Sequence, residues 1–132
     1  MSSRQREVYF SKFPFLKKAN THILSSVFSL DTLDFIQSLN DIVKKTEDSY
    51  LILHSTSWVK GSSDSIEYAK RNNIKYEVVG GLEYPKLLEK LRKHKGLIFQ
   101  PSGADTCPRL VIEAALLGCE LILNDNVQHK DE

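Results

Sequence analysis

The sequence predicts an α/β protein built on a Rossmann-like parallel sheet with helices on both faces. Two observations carry that prediction. Short apolar runs recur at Tyr50–Leu53, Tyr76–Val79, Leu97–Phe99 and Leu121–Leu123, and helical patterns lie between them at Asp64–Arg71, Tyr84–Lys93 and Arg109–Leu117. Strands alternating with helices of that length imply right-handed crossovers and a parallel sheet. Runs apolar at consecutive positions, rather than at alternate ones, suit strands covered on both faces.

Ahead of this alternation, Ser2–Lys12 reads as a helix in which Ser2 and Gln5 have capping-box spacing, and Pro14 ends it. The stretch His22–Phe28 reads as extended. Leu33, Ile36, Leu39 and Val43 recur at helical spacing, so Asp31–Lys45 is expected to form an amphipathic helix. No internal repeat and no low-complexity tract interrupts the chain.

The composition excludes several classes of function. A chain of 132 residues suits one domain, and 41% hydrophobic with 27% charged residues is the balance of an ordinary soluble globular protein. Neither a metal nor a disulfide is needed for a core of this size. A net charge of +1 gives no electrostatic case for binding nucleic acid. No apolar run approaches the roughly 18 residues of a membrane span, and no signal peptide is evident. Cys107 and Cys119 have no metal-ligand spacing, which points to a reduced, cytoplasmic protein. Charge is unevenly spread. Residues 1–20 hold five basic side chains against Glu7, a balance of +4, which leaves −3 for the rest. A solvated helix face is the simple reading of that segment, and a lipid or acidic-partner contact the alternative. The run Lys86, Lys90, Lys93 and Lys95 looks like an ordinary exposed face.

Ligands of open parallel sheets bind beyond the carboxyl ends of the strands. The loops expected there are His54–Lys60, Gly80–Leu82, Gln100–Thr106 and Asn124–Gln128. The third of these is the densest in chemistry. Thr106 suits an N-cap, Pro108 the first helical turn, and Gly118 the helix stop. The amides of Thr106, Cys107, Pro108's neighbours and Arg109 would then form an anion site for a phosphate or pyrophosphate, with the Arg109 charge beside it. Glu113, a turn further on, can accept hydrogen bonds from paired ribose hydroxyls. The structural alternative is an i,i+4 ion pair of Arg109 with Glu113, or of Asp105 with Arg109. Lys60, followed by Gly61, can bring an ammonium to a phosphate, and Cys107 lacks a visible base that would make it a nucleophile. Trp58 either packs under its loop or meets a partner domain. Dinucleotide, P-loop and nucleophile-elbow motifs are absent. His22, His54, His94 and His129 are dispersed without metal-ligand spacing.

In order and spacing, these pieces resemble the donor-binding domain of family 4 glycosyltransferases with the GT-B architecture. The resemblance rests on Gly96-Leu-Ile-Phe-Gln-Pro-Ser, on the acidic-x7-Glu spacing of Asp105 and Glu113, on Glu113-Ala-Ala-Leu-Leu-Gly118, on Val78-Val-Gly80-Gly81 and on Lys60-Gly61. It spans about residues 50 to 124. Two positions depart from the pattern: Asp105 stands where a glutamate is usual, and His54 where many members have arginine. The resemblance implies that Glu113 holds ribose hydroxyls of a nucleotide-diphosphate sugar and Asp105 meets the transferred sugar. It implies that Lys60 and the amides from Thr106 to Arg109 bind the diphosphate, with His54, Gly80 and Gly81 at the rim. Transfer would be retaining, without a metal or cofactor. It further implies that residues 1–20 are the linker and tail of a missing acceptor domain, and that 21–132 is a donor-binding half lacking its closing helices. A non-enzymatic nucleotide-binding module, or a scaffold that kept the fold alone, are the competing readings.

Overall fold

The computed structural model describes residues 3–18, 27–105 and 109–127. Helix α1 spans Ser3–Lys12 and a short 3-10 turn follows at Pro14–Lys18; Ser2, the expected capping residue, lies outside the described residues, as does most of His22–Phe28. Helix α2 (Leu30–Ile42) precedes a repeating strand–helix pattern: β1 (Glu47–Leu53), α3 (Ser62–Arg71), β2 (Tyr76–Val79), α4 (Tyr84–Lys93), β3 (His94–Phe99), α5 (Arg109–Leu116) and β4 (Glu120–Leu123). All four strands are parallel, in the order β2-β1-β3-β4.

The alternation of side chains along the central strands sorts the core onto two faces. Leu51, Leu97 and Phe99 join Ile36 and Leu39 of α2, Leu88 and Leu91 of α4, and Val111 and Ala114 of α5. Ile52 and Ile98 point the other way and meet Ala69 and Ile66 of α3. Leu51, Ile52 and Leu97 are fully buried, each burial contributing about 1.5–3 kcal/mol. The α/β class and the helices on both faces are therefore as the sequence predicts.

The carboxyl ends of all four strands fall where the apolar runs end. Two amino ends do not: β1 starts at Glu47 and β3 at His94, each three residues before its run begins. Polar residues carry these extensions. His94 is 2% exposed, its Nδ1 donates to the Lys90 carbonyl at 2.7 Å, and its Nε2 lies 3.0 Å from Glu77 Oε2. Glu77 also pairs with Lys90 at 2.6 Å, and that hydrogen bond, with a smaller one from His94, holds the Glu77 carboxyl below its ordinary range. A histidine that finds partners on two neighbouring elements can begin a buried strand, which no hydropathy pattern announces.

Helix α2 is N-capped by Ser29, whose Oγ accepts the Thr32 N–H at 3.2 Å. It ends at Ile42, short of the expected Lys45, because Val43 turns extended and its carbonyl is taken by Arg92 Nε at 2.9 Å. Helix α5 closes in a Schellman motif, with Cys119 N–H bonded to the Ala114 carbonyl and Gly118 N–H to that of Ala115, at a left-handed Gly118. Its last carbonyls are also met from outside, Leu116 by Asn40 Nδ2 at 2.9 Å and Leu117 by Arg92 Nη1 at 3.1 Å. No helix among the described residues is long and apolar enough to cross a membrane.

The order of strands creates one topological switch point. From β1 the chain runs through α3 to β2 on one side, then returns through α4 past β1 to β3, and α5 continues outward to β4. Loops leaving β1 and β3 therefore diverge at adjacent strand ends and leave a crevice between them.

Candidate functional site

A cavity of about 310 Å³ occupies that crevice. Its polar wall is His54 and Ser55 from the end of β1, Lys60 from the turn before α3, Asp105 from the loop after β3, and Arg109 at the start of α5. Leu53, Phe99 and Leu110 supply the apolar part. Four residues proposed from sequence for one site, spread over 56 positions from His54 to Arg109, thus line one hollow.

The strongest contact in the site joins Lys60 Nζ to Asp105 Oδ2 at 2.6 Å. The Asp105 side chain is 8% exposed and that of Lys60 45%, so the pair is wet on the cationic side. Asp105 is fixed from behind as well: its N–H donates to the Asn126 carbonyl at 3.0 Å, forming a bridge to the segment after β4. The i,i+4 pairing of Asp105 with Arg109 considered from sequence is replaced, as the main contact of Asp105, by this long-range one.

Lys60 is aimed by its turn. Trp58–Lys60 forms a single 3-10 turn, closed by Gly61 N–H to the Trp58 carbonyl, and Ser102 N–H of the β3 loop bonds to the Val59 carbonyl at 3.1 Å. The two ligand loops are therefore hydrogen-bonded to each other. Trp58 does not pack beneath its loop, being 73% exposed.

Glu113 lies outside the lining of this cavity and is 3% exposed. The Tyr84 hydroxyl donates to its Oε1 at 2.8 Å, and Arg109 Nη2 stands 4.0 Å away, so the expected Arg109–Glu113 ion pair is present at its outer limit. The Arg109 guanidinium in turn stacks over the Phe28 ring at 4.9 Å. Gly80 packs beside the His54 side chain, and Gly81 adopts a left-handed turn in open surroundings. Neither lines the cavity. Thr106, Cys107 and Pro108, the proposed anion-binding amides, lie outside the described residues. No cluster of three or more potential metal ligands occurs among the described residues.

Tyr84 and Phe28 were not singled out from sequence. Tyr84 begins α4, just past the glycine turn that follows β2, so its position at a strand's carboxyl end was a readable signal. Phe28 belongs to no motif, and only the fold brings it under Arg109.

Desolvation, then the hydrogen bond to Glu113 and that residue's charge, push the Tyr84 phenol up to about 12, with Arg109 opposing. Tyr50 is also raised to about 12, chiefly by its hydrogen bond to Glu120. Both folded values lie above the unfolded value near 10. Their contribution to stability is fully present below pH ~10 and is lost as pH rises through about 12. Tyr84→Phe is expected to remove one late-titrating phenolate from the near-ultraviolet absorbance titration and to cost about 1.5–3 kcal/mol in urea denaturation, the range of a hydrogen bond to a charged group. Loss of a phenolate that titrates near 10, instead of one near 12, would contradict the Tyr84–Glu113 contact.

No family model, curated protein or solved structure matches the chain.

Proposed function

We propose that the chain is the donor-binding domain of a retaining glycosyltransferase, taking a nucleotide-diphosphate sugar without a metal. The observation that supports this reading is the meeting of His54, Lys60, Asp105 and Arg109 around one cavity at the switch point of a parallel sheet. Three of these four side chains are basic, which suits an anionic group, and the position is where such sheets receive phosphorylated ligands. Lys60 and Arg109 would hold the diphosphate. Asp105, besides tethering Lys60, would accept hydroxyls of the transferred sugar, and Glu113 would take the ribose hydroxyls in place of Tyr84.

The chemistry follows from where charge develops. The bond from the anomeric carbon to the diphosphate oxygen breaks and its electron pair goes to that oxygen. Cationic side chains already in place stabilise the departing anion without reorganising. The acceptor hydroxyl bonds to the anomeric carbon on the same face, and its proton passes to the leaving phosphate. The acceptor would come from a second domain, in the same chain or a separate one, whose closure excludes water. A nucleotide-sugar user of this kind would act in the cytoplasm, with or without contact to a membrane surface through residues 1–20.

Calorimetric titration with UDP, GDP and ADP tests the reading. One of the three is expected to bind, and Glu113→Gln, which keeps volume and a partner for Tyr84, is expected to weaken it by about 1.5–3 kcal/mol. If the folded protein binds none at millimolar concentration, Glu113 is a structural partner of Tyr84 and Arg109, and the scaffold reading replaces this one.

A further inference from the structure

A second hollow, of about 370 Å³, adjoins the crevice, and Ser55 lines both. Its lining consists of six hydroxyl side chains, the Trp58 indole and the backbone of Gly61. No charged side chain lines it. Lys60, the nearest cation in sequence, faces the other hollow and is engaged by Asp105.

Three of the hydroxyls are structural. Ser62 Oγ donates to the Leu53 carbonyl at 3.0 Å and accepts the Ser55 N–H at 2.9 Å, while Ser55 Oγ accepts the Ser57 N–H at 3.2 Å. Ser102 Oγ donates to Asp64 Oδ2 at 2.5 Å. These bonds hold the wall rigid. Ser57, in the N-cap position of the 3-10 turn, makes no side-chain capping bond, and Thr56, Ser57 and Ser63 are exposed.

The indole is the other half of the argument. Trp58 is 73% exposed, with the edge of its ring at van der Waals range of the Gly103 position and its turn closed by backbone hydrogen bonds. An aromatic ring held at its edge and left open over a hollow is a stacking platform. Hydroxyls that both donate and accept match a ligand whose own groups do the same, and the apolar C–H face of a pyranose fits an indole. An inorganic anion is mainly an acceptor with a full negative charge and would call for a cation, and none lines this wall. We propose that this hollow is a binding subsite for a neutral saccharide ring, stacked on Trp58 and hydrogen-bonded by the hydroxyls of the β1–α3 loop. Binding itself does not depend on the nucleotide reading.

The test uses the full chain, isotopically labelled, titrated with methyl glycosides of glucose, mannose, galactose and N-acetylglucosamine, and separately with inorganic phosphate and uridine. At least one glycoside is expected to shift the Trp58 indole N–H and the amides of Ser55, Ser57 and Ser63, with a millimolar Kd. Trp58 is the single tryptophan, so its fluorescence gives an independent readout. Trp58→Ala is expected to weaken that glycoside at least tenfold while leaving the thermal melt unchanged, and Trp58→Phe to restore most of the loss. Glu113→Gln is expected to leave glycoside binding intact, which separates failure of this subsite from failure of the nucleotide site. The proposal is overturned if no glycoside shifts these signals at high millimolar concentration, or if phosphate or uridine shifts them and the glycosides do not.

Discussion

Gly61→Ala is expected to cost at least about 4 kcal/mol, read as a lowered midpoint of unfolding in urea or guanidinium. A Cβ at this position would sit 1.8 Å from the Gln100 carbonyl oxygen and 2.8 Å from Pro101 Cα. Both contacts are backbone, on a strand end fixed by Gln100 N–H to Ser65 Oγ at 3.0 Å, so no side chain can swing away. The residue also has a φ of 60°, where a side chain is strained by about 1–2 kcal/mol. Gly81 supplies the control. Its φ is 67°, but nothing lies within 4 Å of its Cβ position, so Gly81→Ala is expected to cost only that conformational strain. The difference between the two variants measures the close approach of the two ligand loops. Equal losses would mean that the loops separate without penalty, and Lys60 would then not be held where the site needs it.

Arg92→Met is expected to lower stability by about 3 kcal/mol, read as a shift of the urea midpoint at unchanged slope. The guanidinium donates to three carbonyls on two segments: Val43 by Nε at 2.9 Å and Asn40 by Nη2 at 3.1 Å at the end of α2, and Leu117 by Nη1 at 3.1 Å after α5. These segments are the carboxyl ends of α2 and α5, where helix dipoles converge and carbonyls lack intrahelical partners. Methionine keeps the stem's packing and removes every donor. Arg92→Lys is expected to recover only part of the loss, because an ammonium cannot present the planar fork that reaches all three. Full recovery by lysine would show that charge alone, and not the fork, ties the helices together.

Legibility from sequence differed by kind of feature. Every strand's carboxyl end coincides with the end of an apolar run, and with it the set of loops that could form a site. The amino ends of β1 and β3 were hidden because polar residues build them. His94 is buried by partners on α4 and β2, and its burial has no hydropathic signature. The end of α2 was misplaced by three residues for a similar reason, since Arg92, 49 positions beyond Val43, takes the carbonyl that would have continued the helix. At the site, residue chemistry pointed to Lys60 and Arg109 and the family resemblance added His54 and Asp105, and the fold places all four around one hollow. The ion pair of Asp105 with Lys60 had no sequence signal, because local i,i+4 spacing offers only Arg109 whereas Lys60 lies 45 residues away.

The α/β class, the alternation of strands and helices, and the loops at the carboxyl edge are legible in local sequence. Those features depend on the periodicity of burial and on the residues that stop helices and strands, and both act within a few positions along the chain. The order β2-β1-β3-β4, the pairing of Lys60 with Asp105, the Tyr84 hydroxyl on Glu113 and the exposure of Trp58 come from the folded arrangement. Each of these depends on which strand ends become neighbours. Strand adjacency follows from the packing of the whole sheet between its helices, and no local pattern encodes it.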